Sequence, residues 1–175
     1  MMWVLIGLGV IIASILIIAA LRPNTFEVRR SGHVAAPPSK VYAQIEDFKK
    51  WQGWSPWEGL DPALRRTYDG ADKGEGATYA WDGNNKAGAG TMRITGTKPD
   101  AQVTIALTFT RPFAASNTTV FDLTPAGDGT QVTWIMRGQS PFMFRVMGVF
   151  VSVDKMLGKD FDKGLAKLAE VAPRA

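Results

Sequence analysis

The chain has 175 residues, with 20 lysines and arginines against 16 aspartates and glutamates, one histidine and no cysteine, for a net charge of +4. The missing cysteines exclude disulfides, thiol nucleophiles and zinc-thiolate sites. A basic excess this diffuse makes no case for nucleic acid, and the length suits one core.

The first element is apolar. Residues 1–21 carry no charged side chain, and as a helix they reach roughly 31 Å, which matches a hydrocarbon core of about 30 Å. A cleaved signal peptide would bring a basic leader, a shorter apolar stretch and a small-x-small site. Met1-Met2-Trp3 has no basic group and the apolar run continues too far, so a retained transmembrane anchor over 1–21 is expected. Pro23 ends the helix, and Arg22, Arg29 and Arg30 put the basic flank on its C-terminal side. The expectation is a single-pass membrane protein with a short linker, 22–26, and a domain, 27–175, on the cytoplasmic side. At about 3.5 Å per extended residue the linker holds the domain within roughly 10 to 15 Å of the headgroups.

Thr25 to Val34 has the β-branched content and alternation of a strand, which Ala35-Ala36-Pro37-Pro38-Ser39 breaks. Pro38 and Ser39 suit a helix start, and Val41, Ile45 and Phe48 give it one buried face. It runs into Trp51-Gln-Gly-Trp54-Ser-Pro-Trp57, where Gly53 and Pro56 prevent a straight continuation. From Arg65 to Gly138 the period becomes two. Strands are predicted at Arg65 to Tyr68, Ala77 to Asp82, Gly88 to Thr97, Gln102 to Arg111, Asn117 to Thr124 and Thr130 to Arg137, separated by turn-forming clusters such as Lys98-Pro99-Asp100. After Ser140-Pro141 the helical period returns, predicting one long helix to about Val171. A sheet with one apolar face needs a cover, and this helix is the element long enough to supply it.

Alternation points Tyr79, Trp81, Met92, Ile105, Leu107, Phe109, Phe121, Trp134 and Met136 inward. So many flat rings and soft thioethers in a small domain favour a cavity over a solid core. Trp54 and Trp57 stand either at its mouth or as wedges between helix and sheet. On the closing helix, Met143, Met147, Phe150, Leu157, Phe161, Leu165 and Leu168 form one stripe with Asp154 in its middle. A carboxylate there needs a partner, a proton or a wet cavity. A tryptophan N–H, an arginine or His33 would satisfy it, or it orients the polar end of a ligand. Phe142, Phe144 and Val151 lie off the stripe, and form a membrane-contacting lip or pack against the aromatic loop.

Signs of catalysis are thin. Among acid/base candidates only Asp154 and His33 stand out, with no Gly-x-Ser-x-Gly, metal-ligand spacing, P-loop or dinucleotide motif. No cofactor or metal is expected.

The order strand, helix, six strands, long helix, with Ala36-Pro37-Pro38-Ser39-Lys40-Val41-Tyr42 and the Trp51 to Trp57 cluster, resembles the polyketide cyclase/dehydrase and lipid-transport family over Thr25 to Ala172. That family lies in the START-like, Bet v1-like helix-grip (SRPBCC) superfamily. The resemblance implies an α+β fold, a curved antiparallel sheet around a long C-terminal helix, enclosing a cavity for lipids, polyketides or other apolar ligands. The expected function is membrane-anchored binding of such a molecule without chemistry. A cyclase, dehydratase or hydrolase working in the same cavity and a protein-interaction module remain open alternatives.

Overall fold

The computed structural model describes residues 2–150 and 152–174. Seven antiparallel strands form one sheet: β1 (Thr25–Val34), β2 (Arg65–Gly70), β3 (Ala77–Asp82), β4 (Ala89–Lys98), β5 (Gln102–Arg111), β6 (Ala115–Ala126) and β7 (Gly129–Gln139). The order β1-β7-β6-β5-β4-β3-β2 is a meander to which the first strand adds at the far edge, pairing Thr25 with Gln139 and Val34 with Thr130. Strands extend one or two residues beyond the sequence limits where ladder pairing continues, as at Ala126↔Gly129. The alternation holds: Tyr79, Ile94, Val103, Ile105, Leu107, Phe121, Val132 and Trp134 are buried on one face.

Between β1 and β2 the chain forms α2 (Pro38–Ile45), with Pro38 at the first helical position, and a short 3-10 turn over Phe48–Gly53 whose preceding Asp47 accepts from the Lys49 amide at 2.9 Å. The Trp51 indole donates to the Ile45 carbonyl at 2.9 Å and the Trp54 indole to the Gln44 carbonyl at 3.2 Å. Both rings are thus pinned to α2 and driven edge-on into Phe121, and Trp54 also meets Trp134. Trp54 is a fully buried wedge rather than a rim residue.

The predicted long C-terminal helix is two helices, α3 (Phe142–Met147) and α4 (Val153–Val171). Gly148 closes the first, and the Ser152 side chain caps the second by accepting from the Lys155 amide. The break ends the predicted stripe. Phe161, Leu165 and Leu168 are buried, whereas Met143, Met147 and Phe150 are exposed. Val151 lies outside the described residues. Asp154, expected within a buried stripe, stands in the first turn of α4 with half its side chain in solvent. There it meets Arg30 in a two-pronged pair, 2.9 Å on each prong. The guanidinium lies across Gly158, where a β-carbon would collide with it. Of the partners considered from sequence, the arginine is the one that satisfies this carboxylate.

α4 packs on β1 and stacks Phe161 on Trp134, 4.2 Å between centroids and nearly parallel. Gly164 permits that approach, since a β-carbon there would stand 2.8 Å from the Trp134 ring and 3.0 Å from Pro56.

The apolar N-terminal segment is helical over Met2–Leu21 (α1). The side chains of Met2, Val4 and Leu5 are not described, and among the described residues no helix is long and apolar enough to cross a membrane. α1 lies against α3. Arg22 donates to the Gly148 carbonyl at 2.5 Å, and Arg145 returns to the Ala20 and Arg22 carbonyls at 3.3 and 3.1 Å, so each helix end is satisfied by the other's arginine.

Two outcomes are expected. Gly164→Ala should destabilise the domain by about 1–3 kcal/mol through overpacking, read as a lowered thermal midpoint. The Asp154 carboxyl is held below the ordinary carboxylate range by its hydrogen bonds to Arg30. Because the folded pKa is depressed, the pair stabilises above the ordinary aspartate value of about 4 and is lost as pH falls through the folded value. Asp154→Asn should therefore melt below the wild type at neutral pH, with the two converging in strong acid.

Candidate functional site

The aromatic wedge fills the β6–β7 half of the sheet's concave face and leaves the β3–β5 half open. There a cavity of about 260 Å³ is bounded by β3–β5, by Asn117 of β6 and Met136 of β7, by residues 55–64 and by one side chain of α4, Leu157. Ladder register sets its depth. Tyr79 pairs with Met92 and Met92 with Leu107, which places three lining side chains abreast. Two residues further along their strands, Trp81 and Phe109 meet edge to face at 5.5 Å. Beyond them Lys86, Arg111 and Pro112 are exposed lining residues and form the mouth.

The Trp81 indole donates to the Ala87 carbonyl at 3.0 Å and lies over Gly90, where a β-carbon would stand 2.5 Å from the ring. Glycine at this strand position lets the ring lie against β4 instead of crossing the cavity. Arg111 shares the Asp82 carboxylate with Arg65, and hydrogen bonds from these arginines hold that carboxyl below its ordinary value.

One wall is polar. Glu58 lines the cavity with only 9 % of its side chain exposed. Its Oε2 accepts from Arg66 Nε at 2.8 Å and lies 2.7 Å from Nη2 in a salt bridge, and its Oε1 accepts from the Tyr79 hydroxyl at 2.8 Å. Burial first, then the bond to Glu58, raises the Tyr79 phenol above its ordinary pKa. It therefore stays protonated and donating at physiological pH.

Of the side chains singled out from sequence, Trp57, Tyr79, Trp81, Met92, Leu107, Phe109 and Met136 line this cavity. Trp54, Ile105, Phe121 and Trp134 are buried in the adjacent solid core and do not line it. Met143, Met147, Phe150 and Asp154 are on the surface, carried away by the break between α3 and α4. His33 is half-exposed at the opposite end of β6 from the mouth, with Nε2 3.2 Å from the Ala126 carbonyl and 3.7 Å from Asp128. Phe142 is exposed, and Phe144 packs edge to face on Phe113 at 5.8 Å. Phe113 follows Pro112, so α3 and the end of α1 adjoin the cavity mouth. Glu58 escaped the sequence reading because it follows the tryptophan cluster in a segment with no strand or helix period. Its position next to Trp57 was the one available signal.

The arrangement offers an aromatic-walled apolar volume with Glu58 as its buried carboxylate and Ser55 and Asn117 as neutral polar lining residues. Among the described residues no cluster of histidine and carboxylate side chains could hold a metal ion.

Comparison with known proteins agrees with this fold. No curated protein matches the chain. Among solved structures, a protein from Rhizobium leguminosarum aligns with a TM-score of 0.62 at 13% identity, covering 86% of this chain and 96% of that one. A Thermobifida fusca protein aligns with a TM-score of 0.58 at 23% identity, covering 85% and 93%. DynU16, from the dynemicin biosynthetic locus, aligns with a TM-score of 0.56 at 18% identity, covering 85% of this chain and 47% of that one. Likeness at these identities establishes the fold alone. The family model for polyketide cyclase/dehydrase and lipid transport proteins matches residues 25–173, and the chain belongs to that family.

Proposed function

We propose that this protein is a membrane-anchored receptor that binds a small apolar molecule in the β3–β5 cavity without transforming it. The observation that carries the reading is the cavity itself, walled by Trp57, Trp81, Met92, Leu107 and Phe109 in a fold whose other half is closely packed. Its volume lies just below the range of about 300–1,000 Å³ typical of drug-sized ligand sites. The guest is thus one ring system or one lipid chain, and a whole two-chain lipid is too large. DynU16, encoded in a biosynthetic locus for a small molecule, is in keeping with such a guest.

Anchoring rests on α1. It has 20 residues, no charge and exposed Ile6, Leu8, Val10, Ile11 and Ile17, and its full length of about 30 Å equals a hydrocarbon core. The described remainder from Ile6 reaches only about 24 Å, so the span depends on the first turn. Beside the C-terminal end of α1 lie the exposed side chains Phe113, Phe142, Met143 and Met147, an apolar patch suited to the bilayer interface. Arg22, Arg29 and Arg30 favour placing the domain on the cytoplasmic side.

Two measurements test this. The apolar fluorophore N-phenyl-1-naphthylamine should bind the full-length protein in nanodiscs at one equivalent. Met92→Trp, which places a larger ring in the cavity wall, should weaken it about tenfold, equivalent to about 1.4 kcal/mol. Equal binding by both proteins would place the fluorophore elsewhere. For orientation, the chain has no cysteine, so Lys167→Cys supplies a unique thiol. An impermeant maleimide should label it in inverted membrane vesicles and not in intact cells.

A further inference from the structure

The carboxylate of Glu58 is the least expected group in the cavity wall. A buried charge is tolerated only when paired, and Arg66 supplies that pairing. The pairing is uneven, however. Arg66 meets Oε2 with both Nε and Nη2, and among the described residues Oε1 receives only the Tyr79 hydroxyl. A carboxylate oxygen accepts two hydrogen bonds, so Oε1 has one more to take, and Glu58 lines the cavity.

We infer that the guest carries a neutral hydroxyl that donates to Glu58 Oε1 at the level of Tyr79. This rests on the reading that the cavity holds a small apolar molecule, and names the polar group that molecule bears. At Glu58, the buried polar wall away from Lys86 and Arg111 at the mouth, the other common groups fit less well. An ammonium would add a second cation to a carboxylate that Arg66 already balances, leaving net charge in an apolar site. A carboxylate, phosphate or ketone offers only acceptors to a group that itself only accepts. The Tyr79 hydroxyl is committed to Glu58 and its raised pKa keeps it protonated, so it competes for Oε1 and does not serve as a base. A hydroxyl donates without changing the charge of the wall, and a bond to an ionised acceptor is the strong kind. The guest is thus an alcohol or phenol on a flat or narrow apolar body, entered past Trp81 and Phe109 with its hydroxyl toward the Tyr79 level.

The test titrates the full-length protein in nanodiscs with 2-naphthol, naphthalene and 2-methoxynaphthalene, reading tryptophan fluorescence against protein-free nanodiscs. 2-Naphthol should bind about tenfold tighter than either analogue that lacks the donor. In the paired variant Glu58→Leu with Arg66→Leu, which removes the charges together, the preference should vanish while naphthalene still binds. Tyr79→Phe should keep the preference, because it removes only the competing donor. Equal affinities for the three probes in the wild type, or a preference that survives the paired variant or disappears in Tyr79→Phe, would overturn the hydroxyl assignment and leave the cavity reading standing. Failure of all three probes to bind would overturn both.

Discussion

The stack of Phe161 on Trp134, with Trp54 and Trp57 set edge-on against the Trp134 ring, is the contact on which the arrangement turns. It joins α4, the aromatic loop and β7 at one point, and Gly164 is small because Trp134 and Pro56 occupy the space beside it. Such aromatic pairs contribute about 0.5–1.5 kcal/mol each beyond the area they bury. Their larger consequence is geometric. By closing most of the β6–β7 half of the sheet they centre the cavity on β3–β5, with Asn117 and Met136 at its margin and a loop and Leu157 as its cover.

That confinement explains the polar wall. With rings occupying one half of the concave face, residues 55–64 must cross the open half, and a loop crossing an apolar space brings polar groups that need partners. Asp61 settles its own by accepting from the Ala63 and Asn84 amides, at 2.9 and 2.6 Å. Glu58 reaches instead to Arg66 on β2 and Tyr79 on β3, tying the loop to the sheet edge. The same three side chains therefore hold the lid of the cavity and supply its hydrogen-bonding group. Structure and recognition share residues here, and a charge-balanced pair of substitutions separates them better than a single deletion, which would leave one buried charge alone.

The sheet was legible because a period of two is a strong signal when one face is buried: β1, β3 and β5 have the limits their alternation implies, from Thr25, Ala77 and Gln102. The cavity was legible only in part. Alternation identifies which side chains face inward, but not which of them meet a packed neighbour, so Trp134 and Trp81 read alike although one is stacked on Phe161 and the other faces open volume. The terminal helix failed for a different reason. Its apolar spacing continues through 143, 147 and 150, but Gly148 and the Ser152 cap interrupt the backbone, and periodicity says nothing about a bend. Asp154 falls within the apolar stripe only if one helix runs unbroken from α3 into α4.

The same break brings α3 back onto α1. If α3 had continued α4, its phenylalanines and methionines would have extended past the sheet. As folded, α3 turns back onto α1, and Arg22 and Arg145 exchange contacts with each other's helix ends. Phe144 then meets Phe113, one residue beyond Pro112 at the cavity mouth. On the proposed anchored reading, the entrance is fixed beside the bilayer by hydrogen bonds and ring contacts as well as by the short 22–24 link. A guest dissolved in that bilayer would reach the mouth by moving along the membrane surface, and its apolar body would remain out of bulk water for most of the transfer. Such a geometry favours exchange with the protein's own membrane over carriage between membranes, since the tether that shortens the first path forbids the second.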